Sequence, residues 1–451
     1  MSKNQLSKIR AKLSELDYKK NSIPFFKEVK NVIFIESSSR GGSSYFTEVL
    51  RQSPLFLHFR AEIAPFLKLS GLSYPDTERN SDVLTAEHTL GNWQCNLDIL
   101  QDHLWWDLGN ILGFQELKLS AEDYGYFVSS IMWRLIIQWP ECDFDIEKVK
   151  DEIRKTFEAY CDQYDFSNSL SYNLQMFYLI LLKKIQSTYK KINPYYYDID
   201  KNLIGKYWPE AKKEYSPPAE YLLEEPPFIL IYPWKHAQVK DLETKPIVIK
   251  TPSNAYRFDF FKNLFINAQI RYIYLTRNPA ASINGLMDGW QYHGFFSHKV
   301  NKKMAIRGYT DKFPDFGEYW WKFDLPDGWE NRIHEPLEVV CGFQWYSAHK
   351  SILDYFDHNQ VDYLQIAFEK IIQPSDHRNN ICFKLANWLN IDPALFIKFI
   401  NFNLPFVMAT TMPQHFRWKA RIELLRPIIQ EKYITDISIR MGYEKNYQEW
   451  S

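Results

Sequence analysis

This chain of 451 residues has few cysteines, almost no net charge and no long hydrophobic run. The five cysteines, Cys95, Cys142, Cys161, Cys341 and Cys382, are widely spaced and form no Cys-x-x-Cys pair. An odd, scattered set argues against a disulfide framework and a zinc site, and for reduced thiols in a cytoplasmic setting. A net charge of −1 leaves no global basic field for gripping nucleic acid. A local cationic pocket stays open, because 54 basic side chains must lie somewhere. Residues 1–20 are polar with a helical pattern and lack the apolar centre of a secretion signal. The most apolar stretch, Met176–Leu182, is too short to cross a bilayer and runs into Lys183-Lys184. No internal repeat and no low-complexity tract is found.

What is present is a globular composition, 45% hydrophobic and 24% charged, enough for one large or two modest domains. Aromatic residues reach 17%. They can line a pocket, although large cores use most such rings.

The segment Val32–Leu50 reads VIFIESSSRGGSSYFTEVL. A β-branched run stops at a loop, Glu36–Ser44, with paired glycines, five serines and Arg40 in its middle. An amphipathic helix then starts near Ser43. Strand, small-residue loop and helix together hold a phosphate-like anion: backbone N–H groups converge on it and the helix N-terminus adds favourable partial charge. A nucleotide hydrolase would need Gly-Lys-Ser/Thr at the loop's end. Here the loop ends Gly42-Ser43-Ser44 and the cation comes earlier, at Arg40. The ordinary alternatives are a plain strand–helix turn and a solvated arginine.

Leu55–Leu57 is expected to form a second strand. Tyr74 to Pro227 leaves the α/β rhythm. Helical spacing is evident in Tyr124–Trp139, Asp145–Tyr164 and Leu170–Lys190, which predicts a helical insertion. Strands return at Pro246–Lys250, Ile270–Leu275 and Asp362–Ile366, alternating with helices at Ser253–Phe265 and Leu337–Asp357. Gly289–Pro336 is irregular and aromatic. The alternation predicts an α/β fold with a parallel sheet flanked by helices, a P-loop-like anion-binding strand–loop–helix and a large helical insertion. Ligands in such sheets sit beyond the carboxyl ends of the strands. The Gly-Ser loop, Lys250 and Arg277 all fall at such ends.

Four tracts in order carry a family resemblance. Ser39-Arg40-Gly41-Gly42-Ser43-Ser44 is similar to the Pro-Arg/Lys-Ser-Gly-Thr/Ser-Thr/Ser loop of sulfotransferases that use 3′-phosphoadenosine-5′-phosphosulfate (PAPS), with Ser39 for the usual Pro and Gly41 for the usual Ser. Ile249–Asn254 resembles the Lys-Thr/Ser-Pro step of carbohydrate and tyrosylprotein members. Leu275–Ser282 resembles their strand ending in Arg-Asp/Asn-Pro. Arg417-Trp418-Lys419 is similar to the basic loop that closes over the nucleotide. The family's Ser eight residues after the Arg is Gly285 here.

The resemblance, laid over the chain's own periodicity, implies one domain over residues 1–451: a 5′-phosphosulfate unit at 31–73, the helical insertion at 74–227, which has no counterpart in the family, and the remaining α/β core, with the 3′-phosphate region, at 228–451. It implies PAPS as co-substrate, 3′,5′-bisphosphoadenosine as product and no metal. Arg40 would stabilise the leaving group. The loop amides with Ser43 and Ser44 would hold the 5′-phosphate, and Lys250 the sulfuryl or phosphate oxygens. Arg277 would fork onto the 3′-phosphate, aided by Ser282 or the Gly285 N–H. Arg417 and Lys419 would close that side, and Trp418 would stack on adenine. Glu62 is the first choice of base, with His58 and His88 as alternates; a carboxylate favoured by a helix dipole is the plain reading of Glu62. The acceptor would be a small or medium natural product, sugar or lipid, taken at a hydroxyl or amine. A phosphoryl-transfer enzyme and a non-catalytic nucleotide-binding relative are the alternatives.

Overall fold

The computed structural model describes residues 3–16, 23–111, 119–163, 174–292, 294–295, 297–373, 375–400, 402, 404, 408–412 and 414–450. Its centre is a seven-stranded sheet. The strands are β1 (Asn31–Glu36), β2 (Leu57–His58), β3 (Gly109–Ile111), β4 (Trp234–His236), β5 (Ile247–Lys250) and β6 (Gln269–Thr276). A separate hairpin of β7 (Ser297–Lys299) and β8 (Trp320–Lys322) precedes the last sheet strand, β9 (Tyr363–Ala367). The spatial order is β4-β3-β2-β5-β1-β6-β9. The five strands from β2 to β9 run parallel, whereas β3 pairs antiparallel with both β2 and β4.

The period of two along the central strands divides the core. Val32 and Phe34 of β1, Ile247 and Ile249 of β5, and Tyr272 and Tyr274 of β6 join the larger apolar cluster. Ile33 and Ile35, Val248, and Ile273 and Leu275 alternate with them into a second cluster. Successive side chains on a strand point to opposite faces, so apolar residues at every position mean a sheet covered on both sides. One cover includes the helices Ser43–Arg51, Ser375–Trp388 and Pro393–Phe399, through Phe46, Leu385 and Phe396. The other includes the long helix Leu337–Asn359 and the insertion, whose Phe127, Trp133 and Phe177 belong to the larger cluster.

Several expectations shift by a residue or two. The second strand is Leu57–His58 rather than Leu55–Leu57, and Ser253–Phe265 splits into a 3-10 turn, Pro252–Tyr256, and a helix, Phe258–Leu264. The helices of the insertion include Ala121–Gln138, Ile146–Gln163 and Gln175–Gln186; Tyr164 and residues 170–173 of the expected helices lie outside the described residues. The sheet is not wholly parallel, and the insertion supplies β3 to it. A three-residue strand containing Gly109 has no readable alternation, and its pairing comes from tertiary contact rather than propensity.

The insertion is joined to the end of β2 by buried charges. Arg60 Nη1 donates to Asp107 Oδ1 at 2.8 Å, and the Arg60 backbone N–H donates to Asp107 Oδ2 at 2.9 Å. Arg134 lies 3.4 Å from Asp107 and also pairs with Glu224.

Another buried carboxyl, Glu36, closes β1 at 1% exposure. Burial pushes its pKa up to about 8, against a smaller opposing pull from Arg257. Between the ordinary carboxyl range and pH 8, the unfolded chain has released this proton while the native state keeps it. The native state then binds more protons, and its stability falls as pH rises through that window. Glu36→Gln should flatten this fall. Chemical denaturation of both proteins at pH 5 and pH 8 checks it, and equal slopes would show that Glu36 does not titrate on unfolding.

Among the described residues, no helix is long and apolar enough to cross a membrane. All five cysteines are free.

Candidate functional site

A cleft of about 560 Å³ opens at the carboxyl ends of the parallel strands. Its wall takes residues from the ends of five strands: Ser39, Arg40 and Gly42–Ser44 after β1, Glu62 after β2, Lys250 closing β5, Arg277 after β6 and Phe368-Glu369 after β9.

The β1 loop turns twice. The Gly41 N–H donates to the Ser38 carbonyl at 3.1 Å, and a Cβ at Gly41 would sit 2.9 Å from that carbonyl oxygen. Gly42 caps the helix Ser43–Arg51 with φ 94, a left-handed conformation that glycine adopts without steric cost. A side chain there would also overlap the Phe368 ring. Small residues thus let this backbone lie against β9's exit while the first N–H groups of the helix stay free of intrahelical partners. Ser39 is anchored, its Oγ donating to Asp324 Oδ1 at 2.6 Å.

The cations converge next to this loop. Arg277 Nη1 donates to the Arg40 carbonyl at 3.0 Å, and its guanidinium lies 5.3 Å from the Phe368 ring centroid. Arg40 Nη1 donates to the Met408 carbonyl at 2.8 Å, with the Phe295 ring centroid 4.9 Å away. Burial first, and then the Arg277 charge, bring the Arg40 pKa down to about 10. Arg277 is lowered too, by burial, against an opposing pull from Glu369. Both remain charged at neutral pH, and an anion between them would relieve their mutual repulsion. Arg417 also lines the cleft and pairs with Asp288 at 2.7 Å, which Arg421 shares at 2.5 Å.

Lys250 Nζ donates to Ser44 Oγ at 3.0 Å and pairs with Glu62. One ammonium therefore ties the loop hydroxyl from β1 to the carboxylate beyond β2. Sequence reasoning named all three residues without seeing that they touch.

Other expected residues lie elsewhere. His58 is fully buried in β2, outside the cleft wall. Burial, then the Arg51 charge, hold it well below the usual histidine range. His88 caps a 3-10 turn, its Nδ1 accepting the Thr85 N–H at 3.1 Å, and it too lies outside the cleft wall. Lys419 is exposed, with Nζ 4.1 Å from the Phe416 ring centroid, and does not line the cleft. Ser282 is buried in the first turn of the helix Pro279–Trp290 and does not line it either. Gly285 sits inside that helix, where its N–H serves the helical ladder. A Cβ at Gly285 would come 3.3 Å from Arg40 Cβ, so the glycine lets the Arg40 turn pack against this helix. Trp418 is 3% exposed and reaches the cleft wall from the core.

Four carboxyls of the wall escaped the sequence reading. Glu369 accepts the backbone N–H and the Nδ2 of Asn278 at 2.8 and 2.9 Å and the Tyr443 hydroxyl at 3.0 Å. The strand-end argument, extended to β9, points to it. Glu224 pairs with Arg134, and Glu225 with Lys68. Burial pushes Glu225 up to about 8 despite that lysine. Asp324, lifted by burial to about 6, accepts from Ser39 and Tyr256. The last three come from segments without helical or strand spacing, where no local pattern marks what faces a cavity. Pro65, Pro226, Pro227, Phe295 and Phe323 give this side of the cleft an apolar character.

No protein-family model matches the chain, and no curated protein matches it. Three solved structures are similar along most of its length. The sulfotransferase domain from the curacin biosynthetic pathway is 13% identical, with 92% of this chain and 99% of that chain covered and a TM-score of 0.34. The sulfotransferase domain of the Synechococcus olefin synthase is 15% identical, with 93% and 96% covered and a TM-score of 0.30. A sulfotransferase from Mycobacterium avium is 10% identical, with 95% and 82% covered and a TM-score of 0.33. Likeness this distant says nothing of activity, and the functional reading rests on the residues of the cleft itself.

Proposed function

We propose that this protein is a sulfotransferase that moves the sulfuryl group of PAPS to a hydroxyl or amine of a small or medium organic acceptor. The observation that carries the reading is the Lys250 ammonium, bound both to Ser44 of the anion loop and to Glu62. It sets an anion-binding turn beside a carboxylate at one point of one cleft. The cleft's composition fits the donor. Arg40, Arg277 and Arg417 gather on one side, and Arg40 Nε is buried without a hydrogen-bond partner among the described residues. The loop lacks the lysine after Gly42 that a nucleotide hydrolase would use.

When bound, PAPS supplies the sulfuryl group and a phosphate leaving group. The chain's own groups have separate tasks. Ser43, Ser44 and the loop N–H groups hold the 5′-phosphate. Arg40 neutralises charge growing on the bridging oxygen as the bond from sulfur to that oxygen breaks, a stabilisation greatest in the transition state. Lys250 steadies the sulfuryl oxygens, and Arg277 with Arg417 holds the 3′-phosphate, a geometry suited to a forked guanidinium. Glu62 takes the proton of the attacking acceptor as its oxygen or nitrogen bonds to sulfur. The apolar wall of Pro65, Pro226, Pro227, Phe295 and Phe323 suits an organic acceptor.

Mass spectrometry of a metabolite extract incubated with protein and PAPS tests the reading, with a sulfonate mass gain as the expected result. Calorimetry with 3′,5′-bisphosphoadenosine should detect binding. Phosphate release from ATP and magnesium, with no sulfonate gain, would overturn the reading. Glu62→Gln should slow transfer by about 10² to 10⁴-fold, the range for loss of a general base. A rate near wild type would move the base to another group.

A further inference from the structure

Asp198 stands outside the cleft wall, between the 3-10 turn Pro194–Tyr196 and the helix Lys201–Tyr207 of the insertion. Its own position is fixed: the Asp198 N–H donates to the Phe228 carbonyl at 3.0 Å, beside a parallel bridge between Tyr197 and Phe228. Its Oδ2 accepts the Met408 backbone N–H at 3.1 Å. The Met408 carbonyl in turn accepts Arg40 Nη1. Met408 has φ 51, a left-handed conformation that a non-glycine residue keeps only where its surroundings over-determine it. A carboxylate of the insertion thus grips one end of Met408, and the cleft arginine grips the other.

We infer that Asp198 is a positioning residue for Arg40: by holding the Met408 N–H it aims the Met408 carbonyl at the guanidinium and fixes where that charge points. The inference rests on the proposed sulfuryl transfer and extends it to a residue that touches no substrate. Arginine has a long side chain with many rotamers, and among the described residues its guanidinium donates a hydrogen bond to this carbonyl alone. A charge that stabilises the transition state must be placed before the reaction, and a small misplacement is felt in rate more than in binding. The remaining donor-site groups, Lys250 and Arg277, do not depend on Met408.

Asp198→Ala and Asp198→Asn separate this role from mere packing. The probe for chemistry is single-turnover transfer of the PAPS sulfuryl group to water, read as release of 3′,5′-bisphosphoadenosine, and the probe for binding is calorimetry with PAPS and with 3′,5′-bisphosphoadenosine. Asp198→Ala should slow release by about 10 to 100-fold, the scale of a misplaced catalytic group. Its affinity for PAPS should stay within about threefold of wild type, because the phosphate-holding groups are untouched and the bridging oxygen gains its charge only as the bond to sulfur breaks. Asp198→Asn keeps an oxygen acceptor for the Met408 N–H and should restore most of the rate. Amide hydrogen exchange at Met408 should quicken in the Ala variant and stay slow in the Asn variant. If the Ala variant does not fold, Asp198→Glu, which displaces the acceptor by one methylene, should show the same loss of rate. Equal losses in the Ala and Asn variants, a wild-type rate in the Ala variant, or unchanged exchange at Met408 would overturn the inference. If the wild type itself binds no bisphosphoadenosine and releases none, the sulfotransferase reading fails, while the exchange measurement still decides whether Asp198 holds Met408.

Discussion

Replacing Arg40 with alanine should abolish measurable sulfuryl transfer, a loss of about 10² to 10³-fold or more, with the fold intact. The magnitude is that of removing one fixed donor from a site that stabilises developing charge. Arg40 holds its position through both main chain and side chain. Its backbone sits at φ 62, with its carbonyl accepting from Arg277. Alanine at the same φ would leave that backbone bond in place, so Arg277 should stay where it is. What goes is the guanidinium, with its hydrogen bond to Met408 and its place 4.9 Å from the Phe295 ring centroid. The side chain is half-buried and carries no ion pair to a carboxylate among the described residues, so no opposite charge is stranded and the melting temperature should change little. Sulfonate mass gain and a thermal melt on the same sample check both halves. Transfer at the wild-type rate would remove Arg40 from the mechanism, and a collapsed melt would show that its role is structural.

The second large effect is on stability. Asp107→Ala should cost about 3–5 kcal/mol, the usual consequence of removing one partner from a buried ion network. Asp107 is fully buried, and it faces Arg60 and Arg134, which are buried as well. Its removal takes a charge-assisted bond from the Arg60 side chain and a partner from the Arg60 N–H. It also leaves Arg134 with Glu224 as its remaining partner in this network. The Arg60 guanidinium would still lie 4.2 Å from the Tyr126 ring centroid, which offsets only part of the loss. Urea denaturation of the two proteins, compared at equal m-value, measures the difference. A change below about 1 kcal/mol would mean that water enters and solvates the two arginines. Because Glu224 lines the cleft, the same variant should also loosen that wall.

The central sheet was legible because its inner strands β1, β5 and β6 carry runs of consecutive apolar residues that serve both faces, which only a sheet covered on both sides requires. The loop at Ser39–Ser44 was legible because a left-handed turn packed against a ring demands glycine, and the sequence puts one at position 42. Lys250 and Arg277 could be placed because strand ends in a parallel sheet share one edge. Glu62 was named from the family resemblance, as the carboxylate that follows the helix and second strand of the anion unit. The edge strands β3 and β4 were not legible: three residues carry no period, and their partners are remote in sequence. Glu224, Glu225 and Asp324 escaped for a related reason, since whether a carboxyl in an irregular segment faces a cavity depends on what packs behind it.

Local chemistry alone determined the small-residue turn between β1 and its helix and which side chains carry fixed charge at strand ends, because both follow from residue type and neighbours along the chain. Only the tertiary structure decided that Lys250 joins Ser44 to Glu62, that His58 is sealed inside the sheet, and that Asp198 reaches Arg40 through Met408. Those contacts join residues far apart in sequence, and no spacing rule encodes a distance that the packing of helices on a twisted sheet sets.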